Sequence, residues 1–206
     1  HNASAIEISG KNPTIWFITE KSIVASPDMK GKLILYNHKN STFKDLSTSP
    51  LFSNSSEKKT NGTIANQTAW TGFSDVLCNP FYENEILVCV HGNQIEQNSI
   101  SSNRKTVLKS DNQGQSFYEW AEGLPGFPAN SLEVFIDNKG NSTYFLGTDM
   151  GIYKRSEQDE KWKSCQLNLP YAPVTDIKIN QITGTIYVST FGRSIWKINI
   201  DKLLAE

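Results

Sequence analysis

Two features that define other protein classes are missing from this chain: an excess of charge and a long apolar run. Its 206 residues carry 20 Lys and Arg against 21 Asp and Glu, so the formal net charge is -1. A nucleic-acid-binding protein needs a basic face to neutralise phosphates, and this composition offers none. No apolar run approaches the ~20 residues of a membrane-spanning helix. The expected partners therefore include neither nucleic acid nor the interior of a membrane.

Cysteine is scarce as well, with three residues in the chain. Cys78 and Cys89 fall on predicted neighbouring strands, where they either form a disulfide or lie as two small buried thiols. Cys165 has no partner in the sequence, and no spacing of Cys and His matches a zinc site. Glycine motifs that bind phosphates or dinucleotides are missing too. We therefore expect neither a metal nor an organic cofactor.

Short apolar segments rich in β-branched and aromatic residues are present all along the chain, separated by Gly, Asn, Pro and Ser. The segment 143–148 (Thr-Tyr-Phe-Leu-Gly-Thr) returns at 185–190 as Thr-Ile-Tyr-Val-Ser-Thr. The offset of roughly 42–45 residues is typical of a propeller blade, and no long stretch has a helical period. The sequence therefore predicts an all-β fold, a β-propeller of four-stranded antiparallel blades.

The repeats divide residues 1–206, taken as one domain, into about four blades. The expected segments are blade 1 at about 5–47, an insertion at 48–72, blade 2 at about 73–125, blade 3 at about 130–170 and a partial blade 4 at about 173–200. The fourth unit has no candidate for an outer strand after Ile200. A closed ring leaves no free edge, so we interpret the chain as part of a larger ring. Its expected partner is the remaining blades, on a separate fragment or a missing region; a free-standing four-bladed ring is the alternative.

A polar turn at 110–117 (Ser-Asp-Asn-Gln-Gly-Gln-Ser-Phe) sets the phase of the blades. It follows the Asp-box pattern Ser-x-Asp-x-Gly-x-Thr-Trp, except that Asn112 stands in place of the Asp. The Gly of such a turn adopts a backbone angle that other residues resist, and the polar side chains bond the turn's own amides. We expect a structural role, joining the two outer strands of blade 2, for Ser110, Asn112, Gly114, Ser116 and Phe117.

Together with the segments 123–125 (Gly-Leu-Pro), 147–153 (Gly-Thr-Asp-Met-Gly-Ile-Tyr) and 190–196 (Thr-Phe-Gly-Arg-Ser-Ile-Trp), this turn makes about half of the chain resemble a known family. It is similar to the C-terminal blades of Asp-box (BNR-repeat) propellers exported by bacteria with type IX secretion. More distantly it resembles the propellers of sialidases, xyloglucanases and sortilin. The resemblance implies a secreted or cell-surface protein and is informative for fold rather than for activity.

Propeller geometry sorts the connections. Those between second and third strands, and those between blades, emerge on one face of the ring, called here the top face; the others emerge on the bottom face. Three long top-face connections, 20–32, 48–72 and 91–105, are expected to be either functional or floppy. Shorter top-face loops carry aromatic and charged side chains suited to a sugar or a peptide, although Asp149 and Arg193 also suit a role in tying blades together. The candidate ligand-binding residues are Trp70, Phe127, Asp149, Tyr171, Phe191 and Arg193.

These patterns favour a non-catalytic module that holds a glycan, a peptide or a neighbouring domain on its top face. One alternative is part of a sialidase-like or xyloglucanase-like glycoside hydrolase whose catalytic groups lie partly on missing blades. The chain contains no recognisable carboxylate pair or arginine trio for that chemistry, so no catalytic residue is assigned. A second alternative is a purely structural spacer. His1, His38 and His91 stand beside no nucleophile motif, which argues against a protease.

Overall fold

The computed structural model describes residues 3–9, 15–20, 31–47, 72–91, 106–166 and 168–205. Within them, fifteen strands form four antiparallel sheets and one short helix follows the last strand. Trp70 and nearly all of the three long top-face connections lie outside the described residues.

Three of the sheets have four strands, paired in the order in which they follow along the chain. Blade 1 contains β1 (Ala3–Ile8), β2 (Ile15–Glu20), β3 (Leu33–Asn37) and β4 (Thr42–Asp45). Blade 2 contains β5 (Gly72–Cys78), β6 (Ile86–His91), β7 (Val107–Ser110) and β8 (Tyr118–Glu119). Blade 3 contains β9 (Ala129–Ile136), β10 (Ser142–Thr148), β11 (Gly151–Ser156) and β12 (Lys163–Ser164).

Blade 4 has only three strands, β13 (Val174–Asn180), β14 (Thr185–Thr190) and β15 (Ile195–Asn199). The helix α1 (Ile200–Leu204) begins directly after β15, and the side chain of Asn199 caps it by accepting a hydrogen bond from the Asp201 N–H over 2.8 Å. The predicted architecture, propeller blades with a fourth that lacks its outer strand, is confirmed for the described residues.

The hydrophobic core is divided into three clusters, each between two adjacent blades. Side chains alternate between the two faces of a strand, so each sheet can pack on both sides. Between blades 1 and 2 lie Phe17, Leu33, Leu46, Phe73, Val76, Cys78, Ile86, Val88, Leu108 and Phe117. Between blades 2 and 3 lie Leu77, Leu87, Cys89, Val107, Trp120, Ala129, Leu132, Val134, Tyr144, Leu146 and Trp162. Between blades 3 and 4 lie Phe145, Ile152, Cys165, Leu169, Val174, Ile177, Ile186, Val188, Ile200 and Leu203.

The first strand of each blade lies innermost, so that β1, β5, β9 and β13 are successive neighbours. All four blades have an irregular register at the start of this strand, as between Phe73 and Asp75 or between Val174 and Asp176. Such a bulge sharpens the local twist and re-aims one side chain. The first paired residue after the bulge is Ala5 in blade 1 but polar in blades 2, 3 and 4 (Asp75, Ser131 and Asp176), a feature used below.

The two cysteines of blade 2 are not bonded. Cys78 pairs in register with Ile86, whereas Cys89 pairs with Asp75 at the other end of the same two strands. Cys78 packs against blade 1 and Cys89 against blade 3, so the thiols lie on opposite faces of the sheet. Both are free and buried, as is Cys165. Of the two alternatives left open by the sequence, the structure supports the buried thiols and contradicts the disulfide.

Candidate functional site

The top face of blades 3 and 4 is built from two equivalent loop pairs. In blade 3, the N–H of Asp149 in the β10–β11 turn donates to the Pro128 carbonyl, over 3.3 Å, in the loop that enters the blade. In blade 4, the N–H of Phe191 in the β14–β15 turn donates in the same way to the Pro173 carbonyl, over 2.8 Å. Each turn is therefore held against the loop that precedes its blade.

Aromatic side chains project from these loops into solvent. Tyr171 is 83% exposed and Phe191 is 76% exposed, and Phe127 is exposed as well. Arg193 follows Phe191 in the same turn, and its carbonyl accepts a hydrogen bond from the Trp196 indole over 2.8 Å. The turn is thus fixed from within, while Tyr171, Phe191 and the Arg193 side chain stay accessible. Such residues can stack on a sugar ring or grip a peptide.

Asp149 has a different environment from the aromatic residues beside it. Asn130 donates from one amide nitrogen to both the Asp149 carboxylate, over 2.8 Å, and the Val174 carbonyl, over 2.9 Å. Val174 begins the inner strand of blade 4, so the bond to its carbonyl joins the two blades. The Asp149 carboxylate therefore holds the Asn130 amide that makes the blade-to-blade contact, which supports, indirectly, the structural role that the sequence left open for it.

The turn at 110–117 lies between β7 and β8 on the bottom face and bonds itself closed. The Ser110 hydroxyl oxygen accepts from the Gly114 N–H over 2.8 Å, and the Asn112 side-chain oxygen accepts from the Ser116 N–H over 2.9 Å. Gly114 has φ +76°. Phe117 is buried in the core between blades 1 and 2. These contacts support a structural role for the turn.

A shallow cavity of about 480 Å³ opens beside this turn, on the bottom face. Its lining residues are Phe81, Tyr82, Glu83, Asn84, Glu85 and Asp111. The loop and the turn that form it are joined by a hydrogen bond from the Gln113 N–H to the Asn84 carbonyl, over 2.9 Å. Sequence reasoning missed this cavity; the signal available was the pair Phe81-Tyr82, two adjacent aromatics after Pro80 in a connection between strands.

The floor of this bottom-face cavity is a buried polar cluster. The Glu85 carboxylate forms an ion pair with Lys109 over 2.8 Å and accepts hydrogen bonds from Asn79, over 2.7 Å, and from the Tyr144 hydroxyl. Lys109 also binds Glu157 of blade 3 over 2.8 Å. Burial, and then the Glu85 charge, raise the pKa of Tyr144 far above its ordinary value. Because its donors and acceptors are satisfied within the protein, this cluster is a rigid base rather than reactive machinery.

A second group of charged side chains lies along the inner strands. Lys178 of β13 binds Glu133 of β9 over 2.9 Å, with Asp176 at 3.9 Å. Burial, followed by repulsion from Glu133 and Asp75, raises the pKa of Glu7 in β1 to about 7. Burial also raises the pKa of Glu133, although the bond to Lys178 opposes that shift. Carboxylates from all four inner strands and one lysine therefore act on one another here.

No cofactor site is evident in the part of the chain that the structure describes. Within that part, no three side chains of His, Cys, Asp or Glu are grouped so that they could hold a metal ion. The described residues also contain no helix long and apolar enough to span a membrane.

Comparison with known proteins identifies the architecture through structure alone. No protein-family model and no curated protein sequence matches the chain. An auxiliary nutrient binding protein from Bacteroides thetaiotaomicron aligns with 95% of the chain at a TM-score of 0.60 and 8% identity. An ancestral GH74 enzyme aligns with 92% at 0.58 and 14% identity. The extracellular domain of a hybrid two-component system from B. thetaiotaomicron aligns with 98% at 0.57 and 12% identity.

At these identities the likeness establishes the fold and not the activity. The chain spans only 38%, 22% and 21% of the lengths of those three proteins. Its fold is therefore that of a segment of larger propeller-like proteins.

Proposed function

We propose that this chain is an exported, non-catalytic binding module that recognises carbohydrate with the top face of blades 3 and 4. The observation that carries the proposal is the exposure of Tyr171 and Phe191 on loops fixed by their own backbone hydrogen bonds. Holding a large apolar ring in water on a rigid loop has no packing benefit, whereas stacking on the apolar face of a sugar ring would bury it.

The chemistry of the rim favours a polar, extended ligand. Arg193 lies beside Phe191 and is exposed, so its guanidinium is available to a hydroxyl or carboxylate of the ligand. Nutrient binding and GH74 activity, named for two of the similar structures, add support for a carbohydrate ligand, and the extracellular domain named for the third adds support for an exported location. Phe127 extends the same rim at blade 3, and Trp70 remains a candidate at blade 2.

The proposal is tested by binding to an array of neutral and acidic oligosaccharides. The double variant Tyr171→Ala/Phe191→Ala is expected to bind any bound glycan at least tenfold more weakly. Each lost stacking contact between an aromatic ring and a sugar ring is worth about 1 kcal/mol. The matched control is Ile182→Ala, because Ile182 is 96% exposed but lies in the β13–β14 turn on the bottom face. A bound glycan whose affinity ignores the double variant would contradict the top-face site.

The bottom-face cavity is a second candidate, favoured by its volume and by the exposed rings of Phe81 and Tyr82. In that case, Phe81→Ala and Tyr82→Ala would weaken glycan binding while the top-face variants would not. Both sets are measured on the same array, so the two faces are distinguished in one experiment.

The hydrolase alternative requires two carboxylates that flank a substrate, about 5–9.5 Å apart depending on the stereochemical course. Asp149 is engaged with Asn130, and Glu133 with Lys178, which supports binding over catalysis. Release of reducing sugar by the chain, abolished by Asp149→Ala or Glu133→Gln, would favour the hydrolase. A chain that binds no glycan and tolerates every rim substitution would instead favour the structural spacer.

A further inference from the structure

Each blade turns one face toward the next blade along the chain, and the residues on that face, called here the forward face, occupy equivalent register positions. In blade 3 it carries Ser131, Gly147 and Ile152 in one row and Glu133, Phe145 and Lys154 in the next. In blade 2 the corresponding rows are Asp75, Cys89 and Val107, then Leu77, Leu87 and Lys109. In blade 4 they are Asp176, Ser189 and Ile195, then Lys178, Tyr187 and Lys197.

In blades 2 and 3, the first paired residue after the bulge accepts a backbone hydrogen bond from the next blade. The Asp75 carboxylate of blade 2 accepts from the Leu132 N–H in the inner strand of blade 3, over 2.8 Å. The Ser131 hydroxyl of blade 3 accepts from the Ile177 N–H in the inner strand of blade 4, over 3.1 Å. Leu132 and Ile177 hold the same place in their strands, so this is one contact repeated.

The unpaired residue of the bulge makes a second contact. Ser74 donates to the Ala129 carbonyl over 2.5 Å, and Asn130 donates to the Val174 carbonyl over 2.9 Å. Ala129 stands three residues before Leu132, and Val174 three residues before Ile177, whose N–H groups make the first contact. Two adjacent side chains therefore bind a carbonyl and an N–H on the inner strand of the following blade.

The lysine of the forward face makes a third contact, at the bottom of the blades. Lys109 donates to Glu157, which directly follows the third strand of blade 3. Lys154 donates to the Leu203 and Leu204 carbonyls, over 2.5 and 3.1 Å, in the helix that directly follows the third strand of blade 4. Both ammonium groups are buried by the blade they hold.

Blade 4 presents the same set of groups, and the described residues occupy them only in part: the Thr175 hydroxyl bonds Ser189 of its own blade over 2.6 Å, and one oxygen of Asp176 accepts from Ser131 over 3.2 Å. Thr175 and Asp176 stand where Ser74 and Asp75 do, and Lys197 stands where Lys109 and Lys154 do. Among the described residues, no donor reaches the second carboxylate oxygen of Asp176 and no acceptor reaches Lys197. Ile195 is 71% exposed and Tyr187 is 40% exposed, whereas Ile152 and Phe145, their equivalents in blade 3, are fully buried.

We propose that the forward face of blade 4 is a docking surface for a further four-stranded blade of the same propeller. The incoming inner strand would supply a carbonyl to Thr175 and, three residues later, an N–H to Asp176. The region after its third strand would supply a carbonyl or carboxylate to Lys197. Tyr187 and Ile195 would be covered as Phe145 and Ile152 are now.

The other end of the arc supports a ring that continues. None of the described residues covers the rear face of blade 1, where Ile6 and Ile8 are exposed and Phe43 is stacked on Tyr36 at the edge, the rings 4.5 Å apart. A second copy of this chain is a poorer occupant for blade 4, since the residues that follow the third strand of blade 1, His38 and Lys39, offer no carboxylate to Lys197. The occupant is therefore another blade with an acceptor at that point.

The test adds such a blade to the intact chain. Residues 157–205 are repeated after Ala205. The β12 sequence of the repeat supplies an outer strand for blade 4, and its β13–β15 sequence supplies a fifth blade. The rear face of that fifth blade has the same residues that blade 4 packs against blade 3. Urea unfolding is compared between this five-blade protein and the 206-residue chain, each with and without Lys197→Met and Asp176→Ala.

Lys197→Met is expected to lower the urea midpoint of the five-blade protein by roughly 0.5 M and to leave that of the 206-residue chain unchanged. Asp176→Ala should lower both midpoints, because Asp176 already accepts a hydrogen bond from Ser131 of blade 3, and should lower that of the five-blade protein more. The matched control Lys154→Met, at the equivalent but occupied position, should lower both. Equal effects of Lys197→Met in the two proteins, or no effect in either, would overturn the proposal. Sedimentation equilibrium of the 206-residue chain tests whether a second copy occupies the forward face of blade 4. A dimer that is lost on Lys197→Glu would assign the face to a second copy and would also overturn the proposal.

Discussion

The indole N–H of Trp162 in blade 3 donates a hydrogen bond to the carbonyl oxygen of Trp120 in blade 2, over 2.7 Å. The two rings meet edge to face with their centroids 5.2 Å apart, and both side chains are buried. The Trp120 ring is also covered by the Arg155 guanidinium at 4.3 Å. The contact between the outer parts of blades 2 and 3 therefore depends on one hydrogen bond, one edge-to-face ring pair and one cation–π contact.

Trp162→Phe is expected to destabilise the protein by about 1–3 kcal/mol, because it keeps an aromatic ring but leaves the buried Trp120 carbonyl without its donor. Trp162→Ala also opens a cavity and should cost about 3–5 kcal/mol. Urea unfolding followed by circular dichroism measures both. A phenylalanine variant as stable as the original chain would show that the hydrogen bond contributes nothing.

The buried ion pair below the bottom-face cavity gives a second prediction. Burial disfavours the charged ammonium of Lys109, but its bonds to Glu157 and Glu85 outweigh that effect and raise its pKa. Lys109→Met should therefore cost about 3–5 kcal/mol, since it leaves the Glu85 carboxylate buried without its cation. The double variant Lys109→Met/Glu85→Gln should recover more than half of that loss. If the two single losses simply add in the double variant, the ion pair is not the cause.

The two glycines Gly114 and Gly140 separate backbone strain from crowding. Both have positive φ, +76° and +85°, but an added Cβ at Gly114 would lie 2.7 Å from Leu46 Cδ1, while nothing lies within 4 Å at Gly140. Gly140→Ala is expected to cost about 1 kcal/mol through strain alone. Gly114→Ala should cost about 1 kcal/mol more, because Leu46 is buried and must shift. Equal losses of stability in the two variants, measured by urea unfolding, would mean that the Leu46 side chain moves aside at no cost.

The fold was predictable because its signals are local. Alternating apolar residues mark the strands, and the turn at 110–117 is recognisable within eight residues. The helix α1 was not predictable, since Ile200–Leu204 is too short for a helical period and is stabilised by distant contacts. Its Ile200 and Leu203 pack between blades, and Lys154 binds its last carbonyls.

The candidate site was less accessible to sequence reasoning, for a related reason. Tyr171 and Phe191 could be assigned to loops from the prolines and glycines around them. Asn130 binds Asp149 in another loop of its own blade and the Val174 carbonyl in the next blade, and no local sequence pattern predicts either bond. The equivalence of Lys109, Lys154 and Lys197 likewise emerges only from the strand registers.

The raised pKa of Glu7 predicts a pH dependence of stability. Its ordinary value is 4.5, and burial together with Glu133 and Asp75 raises it to about 7 in the folded protein, against the opposing charge of Lys178. Between these two values, the folded state keeps a proton that the unfolded state releases. The contribution of Glu7 to stability is therefore complete below about pH 4.5 and is lost as the pH rises through 7.

Glu7→Gln mimics the protonated side chain and should remove this dependence. The variant is expected to be more stable than the original chain at pH 8, by about 1–2 kcal/mol after allowance for solvent around a half-buried carboxylate, and equal to it near pH 4. Urea unfolding at several pH values between 4 and 8 measures the difference, with Glu119→Gln as the control for an exposed carboxylate. Parallel curves for Glu7→Gln and the original chain would show that Glu7 titrates at the same pH in the folded and unfolded states, and that the inner-strand carboxylates do not act on it.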